Sequence, residues 1–164
     1  IKDKGINEFC EASVKLMKEK SISLNVYVIT HDEVKYNLYD KKFPEIIFKK
    51  KVLDIRNFYL RSKCTVLPSY REGTPKSLLE SCAMKVPIIA TNVPGCKEVL
   101  INNINGLFCK PYSSDNLAKI MFEYLNLSEQ KKKMFSENAR DIVEKKFDFN
   151  LVLNSYYKIL NLEP

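Results

Sequence analysis

Apolar positions recur along the chain in two rhythms. Ile6, Phe9, Cys10, Ser13 and Met17 share one helical face, so the spacing predicts an amphipathic helix over about 5–20. Leu24 to Thr30 is a β-branched run of strand length, and Glu45 to Phe48 is a second, shorter one. Val52, Ile55, Phe58 and Tyr59 return to helical spacing over 52–62. Cys64 to Leu67 reads as a strand closed by Pro68-Ser69, followed by the loop Tyr70-Arg71-Glu72-Gly73-Thr74. A helix is expected from Pro75 to Met84, with proline at its first position and Thr74 as N-cap.

Pro87 to Ala90 is an uninterrupted apolar run, the pattern of a buried strand, and Pro94-Gly95 is a turn leading into a short helix over about 95–101. Asn105-Gly106 turns into a strand ending at Cys109, and helices are expected over 114–125, 129–146 and 149–160, with Ser128 capping the second. Strands alternating with helices predict an α/β fold, a Rossmann-like doubly wound parallel sheet in one domain over 1–164. In such sheets ligands bind beyond the carboxyl ends of the strands, so the loops after Thr30, Phe48, Leu67 and Ala90 are the places to search.

Composition narrows this picture. With 164 residues and 45% hydrophobic against 29% charged, the chain suits one globular core. The longest uncharged stretch near the middle, Val86 to Cys96, contains two prolines and is too short to span a bilayer. The chain starts with Ile and has no basic-then-apolar leader, as expected of a piece of something longer. Cys10, Cys64, Cys82, Cys96 and Cys109 lack CxxC spacing, so neither a metal site nor a disulfide framework is expected, and a cytoplasmic setting fits. On that expectation the sequon at Asn126 is a chance match. The net charge of +7 comes largely from scattered lysines, with runs at Lys49-Lys50-Lys51 and Lys131-Lys132-Lys133. These read first as solvated faces, and second as attraction to phosphate-bearing ligands or an anionic membrane.

The loop after Leu67 carries the most chemistry. The first amides of the helix that follows point back at it, and the helix dipole adds positive charge there. Gly73 leaves room for a ligand, Lys76 is cationic, and Glu80 could accept from two vicinal hydroxyls of a ribose. Spacing alone is weak: 13 glutamates give three pairs eight apart, Glu11/Glu19, Glu72/Glu80 and Glu129/Glu137. The plainer readings are that Glu72 is a helix-dipole partner and Glu80 a salt bridge to Lys76.

The stretch from Val66 to Glu98, with Pro68-Ser69, Glu72-Gly73-Thr74-Pro75, Glu80, Pro87-Ile88-Ile89-Ala90-Thr91 and Pro94-Gly95, closely resembles the signature of the retaining glycosyltransferases of family 4. These are nucleotide-sugar-dependent enzymes with the two-domain GT-B fold. Asp3-Lys4-Gly5-Ile6 is similar to the start of the first helix of their donor-binding domain, and Asn105-Gly106-Leu107 to a later strand. The helix at about 149–160 resembles the segment that crosses back to the partner domain.

The resemblance implies roles by position. Glu72, the candidate catalytic residue, would contact the donor sugar hydroxyls, with the amides of Gly73 and Thr74 beside the same sugar. Lys4 and the amides of Lys76 and Ser77 would receive the diphosphate, and Glu80 would hold the ribose. No metal or other cofactor is expected, since the nucleotide sugar is itself a substrate. An arginine of the family pattern falls before Ile1, as does the N-terminal acceptor-binding domain. The similarity to polysaccharide enzymes implies a UDP-sugar donor, a glycan or lipid-linked acceptor, and peripheral contact with the cytoplasmic membrane.

Departures from the pattern are Lys85 for a helix-ending glycine, Ser81-Cys82 for alanine-methionine, and Thr30 and Lys49-Lys50-Lys51 where glycines are common. His31 is expected on a loop surface, and Arg71 as either a phosphate-facing cation or a solvated one. Two rival readings are a sugar-nucleotide epimerase of GT-B shape and a non-catalytic basic Rossmann-like module. The Glu-x7-Glu spacing with Glu-Gly-Thr-Pro argues against the first. The lysine runs have too few interleaved aromatics for nucleic acid, which argues against the second.

Overall fold

The computed structural model describes residues 2–30, 33–50 and 52–161. A single 3-10 turn over Lys2–Lys4 leads into α1 (Ile6–Glu19), then β1 (Tyr27–Thr30), α2 (Glu33–Lys42), β2 (Ile47–Lys50), α3 (Arg56–Arg61) and β3 (Thr65–Leu67). The second half runs α4 (Lys76–Ala83), β4 (Ile88–Thr91), α5 (Pro94–Lys97), β5 (Gly106–Cys109), α6 (Ser114–Leu125), α7 (Glu129–Phe147) and α8 (Phe149–Leu160). Every strand pairing is parallel, and the strands fall into two groups, β1–β2 and β3–β4–β5.

β4 shows why the sheet has helices on both faces. All four of its residues are buried, and alternate side chains leave on opposite sides. Ile89 packs with Ala12 and Leu16 of α1, Leu117 and Tyr124 of α6 and Phe135 of α7. Ile88 and Ala90 pack on the other side with Leu78 and Cys82 of α4, Cys96, Val99, Ala139 and Val143. The α/β class with a doubly wound parallel arrangement is therefore as the sequence predicts. α1 also reaches the smaller sheet, where Cys10 is buried with Val26, Val28 and Phe48.

Several local expectations are corrected. α2 has no counterpart in the sequence pattern; it lacks a clear apolar stripe, and it is anchored by Tyr39, whose ring stacks 6.3 Å from both Phe43 and Phe48. β2 begins two residues later than Glu45, because Pro44 and Glu45 form a turn closed by Ile46 N donating to Phe43 O at 3.0 Å. β1 starts at Tyr27 rather than Leu24, and the 52–62 segment is helical only from Arg56, where Asp54 Oδ1 accepts from the Arg56 amide at 3.0 Å. Arg56 holds the Asp54 carboxyl down at about 2. The short helix covers 94–97 rather than 95–101.

Of the two caps the sequence predicts, Ser128 forms and Thr74 does not. Ser128 accepts from Lys131 N at the start of α7, and Ser113 and Asp148 cap α6 and α8 in the same way. Thr74 does not cap α4. Pro75 does, with φ −74° and ψ 114° and no side-chain bond, since its backbone is still extended where the helix begins.

The departures from the family pattern have local structural consequences. Lys85 sits at φ +58°, in the left-handed region where a glycine would be unstrained. The buried Ser81 hydroxyl lies 2.8 Å from Thr65 Oγ1 and 3.1 Å from Val86 O, tying α4 to β3. All five cysteines are free thiols, four of them buried, and burial pushes Cys10, Cys82 and Cys109 up to about 12. Among the described residues no helix is long and apolar enough to cross a membrane. α8 leaves Phe149, Leu151, Tyr156, Ile159 and Leu160 exposed.

Candidate functional site

The loop between β3 and α4 is held from three sides. From below, the Thr91 hydroxyl at the end of β4 donates to Ser69 O. From the amino-terminal turn, Asp3 O accepts from Tyr70 N at 2.8 Å, and Gly5 presses against Pro68. Gly5 has φ +62°, and a Cβ there would lie 2.2 Å from Pro68 O, so both conformation and space require glycine. From α5, Gly95 packs under Glu72 and Gly73, where a Cβ would fall 1.7 Å from Gly73 O and 2.3 Å from Glu72 O. Gly73 itself faces open space, and a Cβ there would meet nothing within 4 Å.

These contacts bring Lys4 and Glu72 together across 68 residues of sequence. Lys4 Nζ donates to Glu72 Oε1 at 2.6 Å, and the Glu72 side chain is only 10% exposed. Tyr70 and Tyr112 rings lie beside this segment with centroids 3.8 Å apart, and the Tyr70 hydroxyl donates to Glu8. Burial, then Glu8, raises the Tyr70 phenol well above its usual range. Arg71 pairs with Asp3 at 2.8 Å on the exposed surface.

α4 supplies the other half. Leu78 N and Leu79 N donate to Pro75 O at 3.0 and 3.3 Å, so the amides of Lys76 and Ser77 precede the helix ladder. Glu80 is exposed one turn further on. The plainer reading, an ion pair with Lys76, is not realised among the described residues. Instead Glu80 Oε2 accepts from the hydroxyl of Tyr59 at 3.2 Å, and the same hydroxyl lies 3.1 Å from Ser77 O. Tyr59 is buried, and burial together with the Glu80 charge pushes its phenol well above the usual range.

The structure thus places Lys4, Glu72, Gly73, Thr74, Lys76 and Ser77 around the carboxyl end of β3, with Glu80 one turn further along α4. Sequence reasoning misses Tyr59 and Gly95 as functional residues. Tyr59 reads in sequence as the apolar face of a helix, and Gly95 as an ordinary turn residue. That the chain has only four glycines is the available signal for Gly95. His31 lies outside the described residues, as does Lys51. Lys131, Lys132 and Lys133 are engaged locally, by Asn103 O at 3.2 Å, Glu129 at 2.8 Å and Glu137 at 3.9 Å, on the far side of the sequence from the loop.

Fold and site together define a Rossmann-like domain whose acidic, cationic and helix-amide groups gather at the carboxyl edge of a parallel sheet. The family described as glycosyl transferases group 1 matches residues 1–142, and the chain belongs to that family. It is 26% identical over 167 residues to the capsular polysaccharide biosynthesis glycosyltransferase CapM of Staphylococcus aureus, covering 98% of this chain and 43% of that protein. It is 25% identical over 151 residues to a UDP-Gal:alpha-D-GlcNAc-diphosphoundecaprenol alpha-1,3-galactosyltransferase of Escherichia coli, covering 85% of this chain and 38% of that one. The crystal structure of a glycosyltransferase from Rickettsia africae superposes with a TM-score of 0.84 at 26% identity, covering 96% of this chain and 44% of that one. The chain spans less than half the length of these relatives.

Proposed function

We propose that the chain is the donor-binding part of a glycosyltransferase that moves a sugar from a nucleoside diphosphate donor, with retention at the anomeric carbon. The carrying observation is the Lys4–Glu72 ion pair set beside the free amides of α4, with Glu80 aimed from the same helix by Tyr59. In this reading the diphosphate lies at the amides of Lys76 and Ser77, where helix dipole and N–H groups favour an anion. Lys4 turns from Glu72 toward the phosphates, so charge building on the leaving group meets fixed positive ends. Glu72, freed on one side, accepts from the sugar hydroxyls beside Gly73 and Thr74. Glu80 accepts from the ribose hydroxyls. Because Lys4 and helix amides supply the neutralisation, no metal is required, and chelator is expected to leave donor binding unchanged.

The nucleotide is proposed to be UDP, supported by the donor named for the Escherichia coli relative. The acceptor is proposed to be a glycan or a lipid-linked sugar in surface polysaccharide synthesis, held by a further domain of the longer protein. The exposed apolar side chains of α8 would be covered by that domain. The protein would work in the cytoplasm, with its lysine-rich surface favouring peripheral contact with an anionic membrane. Adding UDP to the full-length protein and mapping amide exchange tests the site: protection at 73–80 is expected. Protection confined to 129–160 with none at 73–80 would overturn the assignment.

A further inference from the structure

The carboxyl edge of the sheet carries an aromatic pair that the groups assigned to the donor leave out. Tyr112 lies shortly after the end of β5 and directly before Ser113, the N-cap of α6. Its φ is +59°, so a bulky side chain occupies left-handed backbone where glycine or asparagine would be less strained. Of the non-glycine residues in that region among the described residues, it is the only aromatic one. Tyr112 is nevertheless 70% exposed. Strain kept for the sake of an exposed side chain points to work done by that side chain.

The ring is held from one side. Its centroid lies 3.8 Å from that of Tyr70, with 31° between the planes. Tyr70 is fixed at both ends: its amide donates to Asp3 O at 2.8 Å, and its hydroxyl donates to Glu8 of α1. One face of the Tyr112 ring is therefore backed by a rigid partner, and the opposite face is turned to solvent. Arg71 lies close enough to Tyr112 for electrostatic contact. It is 83% exposed, donates to Asp3 at 2.8 Å, and has further N–H groups for a ligand. Position selects that ligand. Tyr59, the partner of Glu80, precedes β3 and lines a cavity together with β1 and β3. Tyr112 follows β5, which lies on the other side of β3, beyond β4. The aromatic pair and the Glu80 carboxylate thus fall on opposite sides of the loop that carries Glu72.

We propose that Tyr112, seated on Tyr70, is a stacking platform for a pyranose ring of the acceptor glycan, with Arg71 donating to its hydroxyls. The proposal rests on the glycosyltransferase reading above, in which Glu80 takes the ribose and Glu72, Gly73 and Thr74 take the donor sugar. The next ring on the side away from the nucleotide is then the incoming one. This chain would add one acceptor contact to those of the further domain. The C–H face of a pyranose is apolar and slightly positive, which suits the negative face of an aromatic ring. A tyrosine already fixed by its neighbour gives up little freedom on binding.

Saturation-transfer NMR titration of the full-length protein, with UDP present, tests this. The probes are the methyl α-glycosides of glucose, galactose, N-acetylglucosamine and N-acetylgalactosamine. Tyr112→Gly removes the ring and relieves the backbone, so it should keep the wild-type Tm. It should weaken the tightest-bound glycoside roughly two- to tenfold, the worth of one aromatic contact. Tyr112→Asn, which also tolerates this backbone, should do the same, and Tyr112→Phe should bind as wild type does. Calorimetry on the same variants should give unchanged affinity for UDP, UDP-glucose and UDP-galactose. Glycoside binding unchanged in Tyr112→Gly would overturn the proposal, as would a wild type that binds no glycoside of the panel. A loss confined to the UDP-sugars would move the ring to the donor sugar, and an equal loss for UDP would move it to the nucleotide. A lower Tm with glycoside binding intact would make Tyr112 a packing residue at the start of α6; each of these results also overturns the acceptor role. A wild type that binds no UDP would sink the nucleotide-sugar reading itself, and the platform with it.

Discussion

Replacing Tyr59 with Phe removes one hydroxyl and leaves the ring that fills the core. That hydroxyl has one proton for two acceptors, Ser77 O at 3.1 Å and Glu80 Oε2 at 3.2 Å. A hydrogen bond to a charged group contributes about 1.5–3 kcal/mol, and both distances are at the long end with the proton shared, so about 1 kcal/mol is expected here. If Glu80 receives ribose hydroxyls, Tyr59→Phe in the full-length protein should weaken UDP binding about fivefold. Glu80→Ala should weaken it about tenfold to a hundredfold. The two changes act through one carboxylate, so the double variant should lose little more than Glu80→Ala alone. Titration calorimetry with UDP and 2′-deoxy-UDP separates positioning from general damage. The deoxy ligand should bind wild type more weakly and show a smaller loss in both variants. Equal losses for the two ligands in Tyr59→Phe would refute the positioning role, and unchanged UDP binding by Glu80→Ala would refute the ribose role itself.

Other consequences are local. Lys85→Gly relieves a left-handed backbone at the end of α4 and should stabilise the protein by about 0.5–1 kcal/mol, a rise of roughly 1–4 °C in Tm by calorimetry. Gly95→Ala places a methyl group against Gly73 O and Glu72 O, and should cost about 1–3 kcal/mol while weakening UDP binding, because the Glu72 segment must move. Burial raises the thiols of Cys10, Cys82 and Cys109 to about 12 against an ordinary value near 9, so the unfolded chain loses these protons first as pH rises. Stability conferred by these groups is complete below pH 9 and falls between pH 9 and about 12, by up to about 1.4 kcal/mol per pH unit per thiol. Urea unfolding at pH 8 and pH 10 should show a lower midpoint at the higher pH.

The legible parts of the fold are those with a single dominant period. β4 is visible because an unbroken Ile-Ile-Ala run between prolines suits only a strand buried on both faces, and α6 because its apolar residues keep one face. α2 is invisible because its sequence lacks a local apolar period; among the described residues it is Tyr39 that stacks on two phenylalanines, a tertiary contact the sequence pattern does not announce. The β3–α4 loop is legible as a ligand loop because a strand end, a glycine and a helix start lie adjacent in sequence. The partners of that loop are not. Lys4 is 68 residues from Glu72 and Tyr59 is 21 from Glu80, and such distances are closed only by packing.

The bond between Ser81 and Thr65 has a consequence for distance rather than stability. It pins α4 lengthwise on β3, so the helix acts as a ruler whose zero cannot slide. From Ser77 to Glu80 the scale reads three residues, about 4.5 Å of rise. Any ligand that touches both the leading amides and the Glu80 carboxylate must match that reading. Shortening or lengthening a side chain changes the grip, but one residue inserted between Ser77 and Glu80 changes the ruler. With Ser81 still anchored, everything before the insertion turns by about 100°, and the amides and the carboxylate no longer face the same space.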